Sequence, residues 1–318
     1  MRISFLGKGG SGKTTMATSF IKYLNKKQKD VLAVDADINV HLGSALEMAT
    51  NYIGDRFDEL SFYFERERIL EGKAVIGTTP PSMESNFILP ILEDSFLKKY
   101  ATYKDHIALL SVGTYTDSKV GYACYHSKLG NAVLMYNRLL DNENFYVVTD
   151  ATAGIDSVGT SMFYVSDINV FVVEPTKKSI QVLKDFLNIT SDYHIKTYVI
   201  ANKIENNDDI EYIKSEISEQ LIIGYVKSSQ HLRRYEQGNV GELDQFIEEN
   251  DDINSKLLTI LDNTEKDWDQ YYEIQKQIYI DDAGDWYSQY YNQDLPSYID
   301  ENFKYEKVIE KYEVNSQD

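Results

Sequence analysis

The stretch Gly7-Lys8-Gly9-Gly10-Ser11-Gly12-Lys13-Thr14-Thr15 decides the fold. Before it stands an apolar run, Ile3-Ser4-Phe5-Leu6, that predicts a buried strand. After it, Met16 to Leu24 carries apolar residues at helical spacing. Strand, glycine-rich loop and helix are the setting of a phosphate-binding loop. The glycines let the backbone N–H groups of residues 9 to 15 converge on one anion at a helix N-terminus, where the helix dipole adds its attraction. Gly9, Gly10, Ser11, Gly12, Lys13, Thr14 and Thr15 therefore form the expected nucleotide-contacting set. Lys13 reaches the β- and γ-phosphates of ATP, and the Thr14 hydroxyl becomes a ligand for the bridging Mg²⁺.

Two further strand ends supply carboxylates. Asp30-Val31-Leu32-Ala33-Val34 reads as a second buried strand and runs into Asp35-Ala36-Asp37-Ile38-Asn39. Carboxylates at the C-terminal end of a strand in an α/β sheet face the crevice where ligands bind. Asp37 is placed to orient or activate the attacking water, and Asp35 to sit near the Mg²⁺ shell. A polar turn with a helix cap is the plainer alternative. Phe145-Tyr146-Val147-Val148-Thr149 is another strand and ends at Asp150, with Gly154 four residues on. Asp150 would hold Mg²⁺ through water, and the Gly154 N–H can approach the γ-phosphate because no side chain stands in its way.

Lys8, just before Gly9-Gly10, narrows the class. The pattern Lys-Gly-Gly-x-Gly-Lys-Thr resembles the deviant Walker A motif of the MinD/ParA/ArsA/nitrogenase-iron-protein ATPases, the SIMIBI class of P-loop proteins. The resemblance implies a homodimer in which Lys8 reaches the partner's nucleotide, so that catalysis depends on assembly. Within that class, Val-Asp-Ala-Asp-x-Asn over 34–39, His41-Leu42-Gly43, Ala153-Gly154-Ile155 and Val173-Glu174-Pro175 are similar to the CooC branch, which assists maturation of carbon monoxide dehydrogenase. That branch carries a metal-binding Cys-x-Cys pair before the matching helix. Here Cys124 matches the first position and His126 stands at the second, so two copies would offer a Cys₂His₂ set for Zn or Ni at the dimer interface. A free cysteine beside an unrelated histidine is the open alternative. Asn202, at the end of the strand Thr197–Ala201, is implied as an adenine contact, with a turn-forming asparagine equally open. The resemblance covers residues 1 to about 260.

More strands follow at Ile107–Val112, Asp167–Val173 and Leu221–Val226, alternating with helical stretches such as 128–140. Residues 44 to 105 read as several helices covering one end of the sheet. The expected fold is α/β, a mainly parallel twisted sheet with helices on both faces. Composition changes near residue 241. Glu242 to Asp318 holds 21 Asp/Glu against 6 Lys/Arg, a net of −15 out of −19 for the chain. Residues 1–241 are thus read as the ATPase domain and 242–318 as an acidic, mostly helical extension, with Pro296 dividing it and a closing helix over 300–314. Its many aromatics argue against disorder. It either docks, on the ATPase domain or on a partner with a basic surface, or forms a folded acidic cap.

The charge disfavours nucleic acid and anionic lipid as partners. With no apolar run of about 18 residues, no signal-peptide pattern and one cysteine, a cytoplasmic protein is expected. One cysteine also excludes the nitrogenase-iron-protein arrangement, which needs two per subunit. The sequence points to a slow, Mg²⁺-dependent, dimeric ATPase switch serving an unidentified protein client, a metalloenzyme if the CooC likeness carries over. A ParA/MinD-like positioning ATPase, or a nucleotide sensor acting through the acidic extension, is the alternative.

Overall fold

The computed structural model describes residues 1–115, 125–239 and 241–315. The apolar runs become strands β1 (Arg2–Leu6), β2 (Asp30–Ala36), β3 (Thr102–Lys104), β4 (Ile107–Ser111), β5 (Phe145–Ala151), β6 (Ile168–Val173), β7 (Thr197–Ile204) and β8 (Ile222–Lys227). Among the described residues they form one sheet in the order β3-β4-β2-β5-β1-β6-β7-β8. All neighbours are parallel except β3, which runs antiparallel to β4 at the edge. Parallel strands need covered crossovers, and this is why every strand except β3, which turns directly into β4, is followed by helical chain and why the central strands are apolar on both faces.

Side-chain alternation divides the core. Ile3 and Phe5 of β1 pack with Met16, Phe20 and Leu24 of the Lys13–Lys26 helix on one face. Leu6 joins the other face, with Leu129 and Val133 of the Tyr125–Tyr136 helix and Phe186 of the Lys177–Ile189 helix. The acidic C-terminal part serves both faces. Its helices Glu242–Glu249 and Asp251–Asp262 lie beside the Lys13–Lys26 helix, where Asn254 Nδ2 donates to Ser19 Oγ at 2.9 Å. The chain then crosses over. Helices Trp268–Asp282 and Tyr305–Asn315 cover the opposite face, and the Tyr305 hydroxyl donates to the Asn137 carbonyl at 2.7 Å.

The differences from expectation are local. The 44–105 stretch has the expected helices, Phe57–Phe64, Arg66–Leu70 and Ser95–Tyr100, but it also ends in β3. Three residues are too few to show a period of two in the sequence. The closing helix starts at Tyr305 rather than Asp300, because Asp300 is held in a turn. Its carboxylate accepts from Met83 N–H at 3.0 Å and its carbonyl from the Tyr272 hydroxyl at 3.1 Å. No helix among the described residues is long and apolar enough to cross a membrane.

Candidate functional site

The phosphate loop leaves β1 at the centre of the sheet, between β5 and β6, and enters the Lys13–Lys26 helix. Its path needs glycine at two tight places. Gly7 (φ +142°) lies against β6, where a Cβ would sit 2.4 Å from the Val172 carbonyl oxygen. Gly12 (φ +101°) lies against β7, where a Cβ would sit 2.3 Å from Asn202 Nδ2. The loop is thereby seated on its two neighbours before any ligand is considered.

Three carboxylates surround the start of the helix. Lys13 is buried, with its Nζ 3.8 Å from Asp37 Oδ2. The other oxygen of Asp37 accepts from the Asn39 backbone N–H (3.0 Å) and side-chain amide (2.8 Å), so that the carboxylate is fixed in direction. The Thr14 hydroxyl donates to Asp150 Oδ2 at 2.6 Å. Asp35 and Asp150 are register partners on β2 and β5, so their carboxylates project side by side. Asp35 accepts from the Leu42 N–H at 3.0 Å. Burial pushes the Asp150 carboxyl up to about 8, against the Thr14 hydrogen bond and with the help of Asp35. It pushes Asp35 up to about 7, against the backbone hydrogen bonds it accepts.

The site's chemistry fits a bound cation together with a polyphosphate. Asp150 Oδ1 and Ser11 Oγ are buried without a hydrogen-bond partner. Among the described residues no three Asp, Glu, His or Cys converge to cage a metal by themselves. Mg²⁺ takes few protein ligands and keeps water and phosphate oxygens as the rest, which suits a hydroxyl and a carboxylate at a phosphate loop.

Three expected residues have other contacts here. The Gly154 N–H (φ +78°) donates to the Gly7 carbonyl at 3.0 Å, joining the segment after β5 to the phosphate loop. Asn202 donates one amide N–H to the Ser11 carbonyl at 2.7 Å and accepts the Lys203 N–H at 2.8 Å, leaving its second N–H for any contact with adenine. Lys8 lies 3.6 Å from Glu174 and is half-exposed. Thr15 is partly buried beside Thr14 on a cleft that also includes Tyr235. Sequence reasoning missed Lys203. The strand β7 runs on to Ile204 past Ala201, and Lys203 adopts φ +58° and reaches back over the loop. Its Nζ donates to the Gly10 carbonyl at 2.7 Å and to Glu174 at 2.6 Å. An Asn-Lys pair at a strand end, one strand away from Glu174, was the available signal. Cys124 lies outside the described residues. His126 is exposed in the first turn of the Tyr125–Tyr136 helix, well placed on a cleft but in no metal cluster among the described residues.

This geometry agrees with the comparison to known families. The model of the CobQ/CobB/MinD/ParA nucleotide binding domain matches residues 5–240. The chain belongs to that family. An uncharacterised ATP-binding protein of Methanocaldococcus jannaschii is 30% identical over 230 residues, which cover 71% of this chain and 84% of that protein. The carbon monoxide dehydrogenase accessory protein CooC of Rhodospirillum rubrum is 26% identical over 227 residues, 71% of this chain and 83% of its own. Among solved structures, the ParA family ATPase of Chlorobium tepidum superposes with a TM-score of 0.51 at 16% identity, covering 82% of this chain and 96% of that one. The last likeness is one of fold. The CobQ/CobB/MinD/ParA domain ends before the acidic helices that begin at Glu242, so these lie outside the family model.

Proposed function

We propose that this protein is a Mg²⁺-dependent ATPase that acts as a nucleotide-switched homodimer and assists the maturation of a metalloenzyme. The observation that carries the ATPase reading is the joint placement of Lys13, Thr14 and Asp150 beneath the phosphate loop, with Asp37 held in a fixed direction beside Lys13. The loop amides and Lys13 bind the β- and γ-phosphates and neutralise the charge that develops on them. Thr14 and, through water, Asp150 would hold Mg²⁺, with Asp35 near its shell; the ion supplies electrostatic neutralisation of the phosphate oxygens. Asp37 accepts a hydrogen bond from the attacking water and aims it. Gly154 exchanges its Gly7 partner for the γ-phosphate, so the segment after β5 reports which nucleotide is bound. Lys8 leaves Glu174 to reach the nucleotide of the second copy.

The similarity to CooC supports the maturation role, in which Cys124 and His126 of two copies would bind Zn or Ni. Turnover measured against protein concentration tests the scheme. Wild-type activity per subunit should rise with concentration as dimers form. Lys13→Ala should lose at least about 100-fold in turnover, and Lys8→Ala should keep nucleotide binding while losing the concentration dependence. Normal turnover in Lys13→Ala would remove the ATPase assignment. Concentration-independent activity that ignores Lys8 would remove the dimer.

A further inference from the structure

Outside the nucleotide site, the acidic C-terminal part shows an unusual surface. The Trp268–Asp282 helix runs on through a single π-helical turn, Ala283–Tyr287, into Ser288–Tyr291. Such π turns re-aim side chains and recur at functional sites. Here the turn brings aromatic residues to the outside. Trp286 is 60% exposed and Tyr290 67% exposed, and their rings stack at 5.3 Å, with Tyr291 edge-on to Tyr290 at 4.9 Å. Solvated aromatic faces in contact with each other form a patch that a soluble protein seldom leaves uncovered without a use.

The same turn borders a cleft of ≈630 Å³. Tyr287, Tyr291 and Asp282 form its wall on the extension, and Thr78, Thr160 and Ser161 face them from the α/β body. The Asp282 carboxylate accepts from the Thr78 hydroxyl at 3.0 Å and is partly withdrawn from water, which raises its pKa. From Asp281 to Asp300 the chain has five carboxylates and no Lys or Arg. The nearby Lys73 is already held by Glu71 at 2.6 Å and lies over the Tyr298 ring. Aromatic faces and carboxylates together attract the same kind of group, a cation with an apolar stem.

We propose that this cleft and its aromatic rim dock a lysine- or arginine-rich segment of a partner protein, with one basic side chain entering between Asp282 and Tyr287 while Trp286 and Tyr290 take the next. The complementarity is of charge and of size: the extension is acidic where it is aromatic, and a cleft of ≈630 Å³ has room for a long basic side chain. This docking gives the client of the proposed switch a chemical character. It rests on that reading for the identity of the partner as a client; the surface does not involve the phosphate loop, but His126 lines the same cleft, so docking there and a metal shared through His126 between two copies exclude one another.

Isothermal titration calorimetry of the full chain with octalysine and octaglutamate peptides at low ionic strength tests the proposal. Octalysine should bind and octaglutamate should not. Asp282→Asn should weaken octalysine about ten-fold, and Trp286→Ala and Tyr290→Ala about three-fold each. The double variant Asp251→Asn/Asp252→Asn, acidic but remote, should change affinity less than about two-fold and so separates a site from general attraction to an acidic protein. Trp286 and Tyr290 are exposed, so their variants fold even if Asp282→Asn does not. No octalysine binding, binding of octaglutamate as well, or an equal loss in the remote variant would overturn the docking site. ATP binding in the same variants should be unchanged, so failure of docking and failure of the nucleotide reading are distinguishable.

Discussion

Buried carboxylates at the two ends of the sheet are in opposite conditions. At the amino ends of the strands, Asp141 is enclosed with its counterions. Arg2 Nε donates to it at 2.8 Å and Lys266 lies 3.4 Å away, itself shared with Asp167 at 2.8 Å. The Arg2 guanidinium also donates to the Tyr271 hydroxyl and to the carbonyls of Tyr136, Leu139 and Val165. Burial alone would raise the Asp141 carboxyl, but Arg2 and Lys266 hold it well below the usual range. At the carboxyl ends, Asp35 and Asp150 are as deeply buried, with one lysine and one hydroxyl for three carboxylates, and burial raises both. One cluster is neutralised within the chain. The other is balanced only when positive charge comes from outside, and this imbalance distinguishes a ligand site from a structural ion pair.

The sharpest way to break the comparison is to remove one partner at each end. Asp141→Ala leaves Arg2 buried without its carboxylate and Lys266 with Asp167 alone, and should destabilise the protein by about 3–5 kcal/mol, read as a lower urea midpoint. An unchanged midpoint would mean that this cluster is no structural ion pair. Asp150→Asn should act with the opposite sign. Without ligand at pH 8 the variant should be more stable than wild type by on the order of 1–2 kcal/mol, while ATP turnover falls.

The pH dependence follows from the same pKa directions. Asp35 and Asp150, raised to about 7 and about 8, bind protons in the folded state that the unfolded chain has already lost. Their contribution to stability is complete below about pH 4 and is lost as pH rises through about 7 to 8. Asp141, lowered, contributes above about pH 4 and loses its contribution on acidification. A urea series from pH 5 to 9 should therefore show ligand-free stability falling with pH, and falling less in Asp150→Asn. The smallest effect is proton release. Mg²⁺ and ATP added at pH 7 should displace about one proton per subunit from this pair, measured by calorimetry in buffers of different ionisation enthalpy. Proton uptake would reverse the assignment of which end of the sheet is short of positive charge.

The strands and the carboxylate positions were legible because they follow local rules. Residues 7–15 carry the loop by spacing, and Asp35, Asp37 and Asp150 stand where apolar runs stop. Contacts between distant segments were not legible. Asn202 meets Ser11 across 191 positions and Lys203 meets Gly10 across 193, and no periodicity in either segment encodes the meeting. The acidic C-terminal part shows the same limit. Its composition set it apart at residue 241, yet Leu257 packs on one face of the sheet and Tyr305 on the other, because burial follows the apolar residues of each helix and not the net charge around them.

The tie between Arg2 and Tyr271 spans 269 positions and has a consequence for biosynthesis. The guanidinium is made long before the phenol that satisfies it, on the order of tens of seconds earlier at ribosomal speeds of about 5–20 residues per second. Throughout that interval the nascent sheet can pair its strands around the phosphate loop but cannot close the face that Trp268 and Tyr305 will cover. Closure of that face therefore comes late in synthesis, and until then its apolar residues stand open to the aggregation that exposed hydrophobic surface invites.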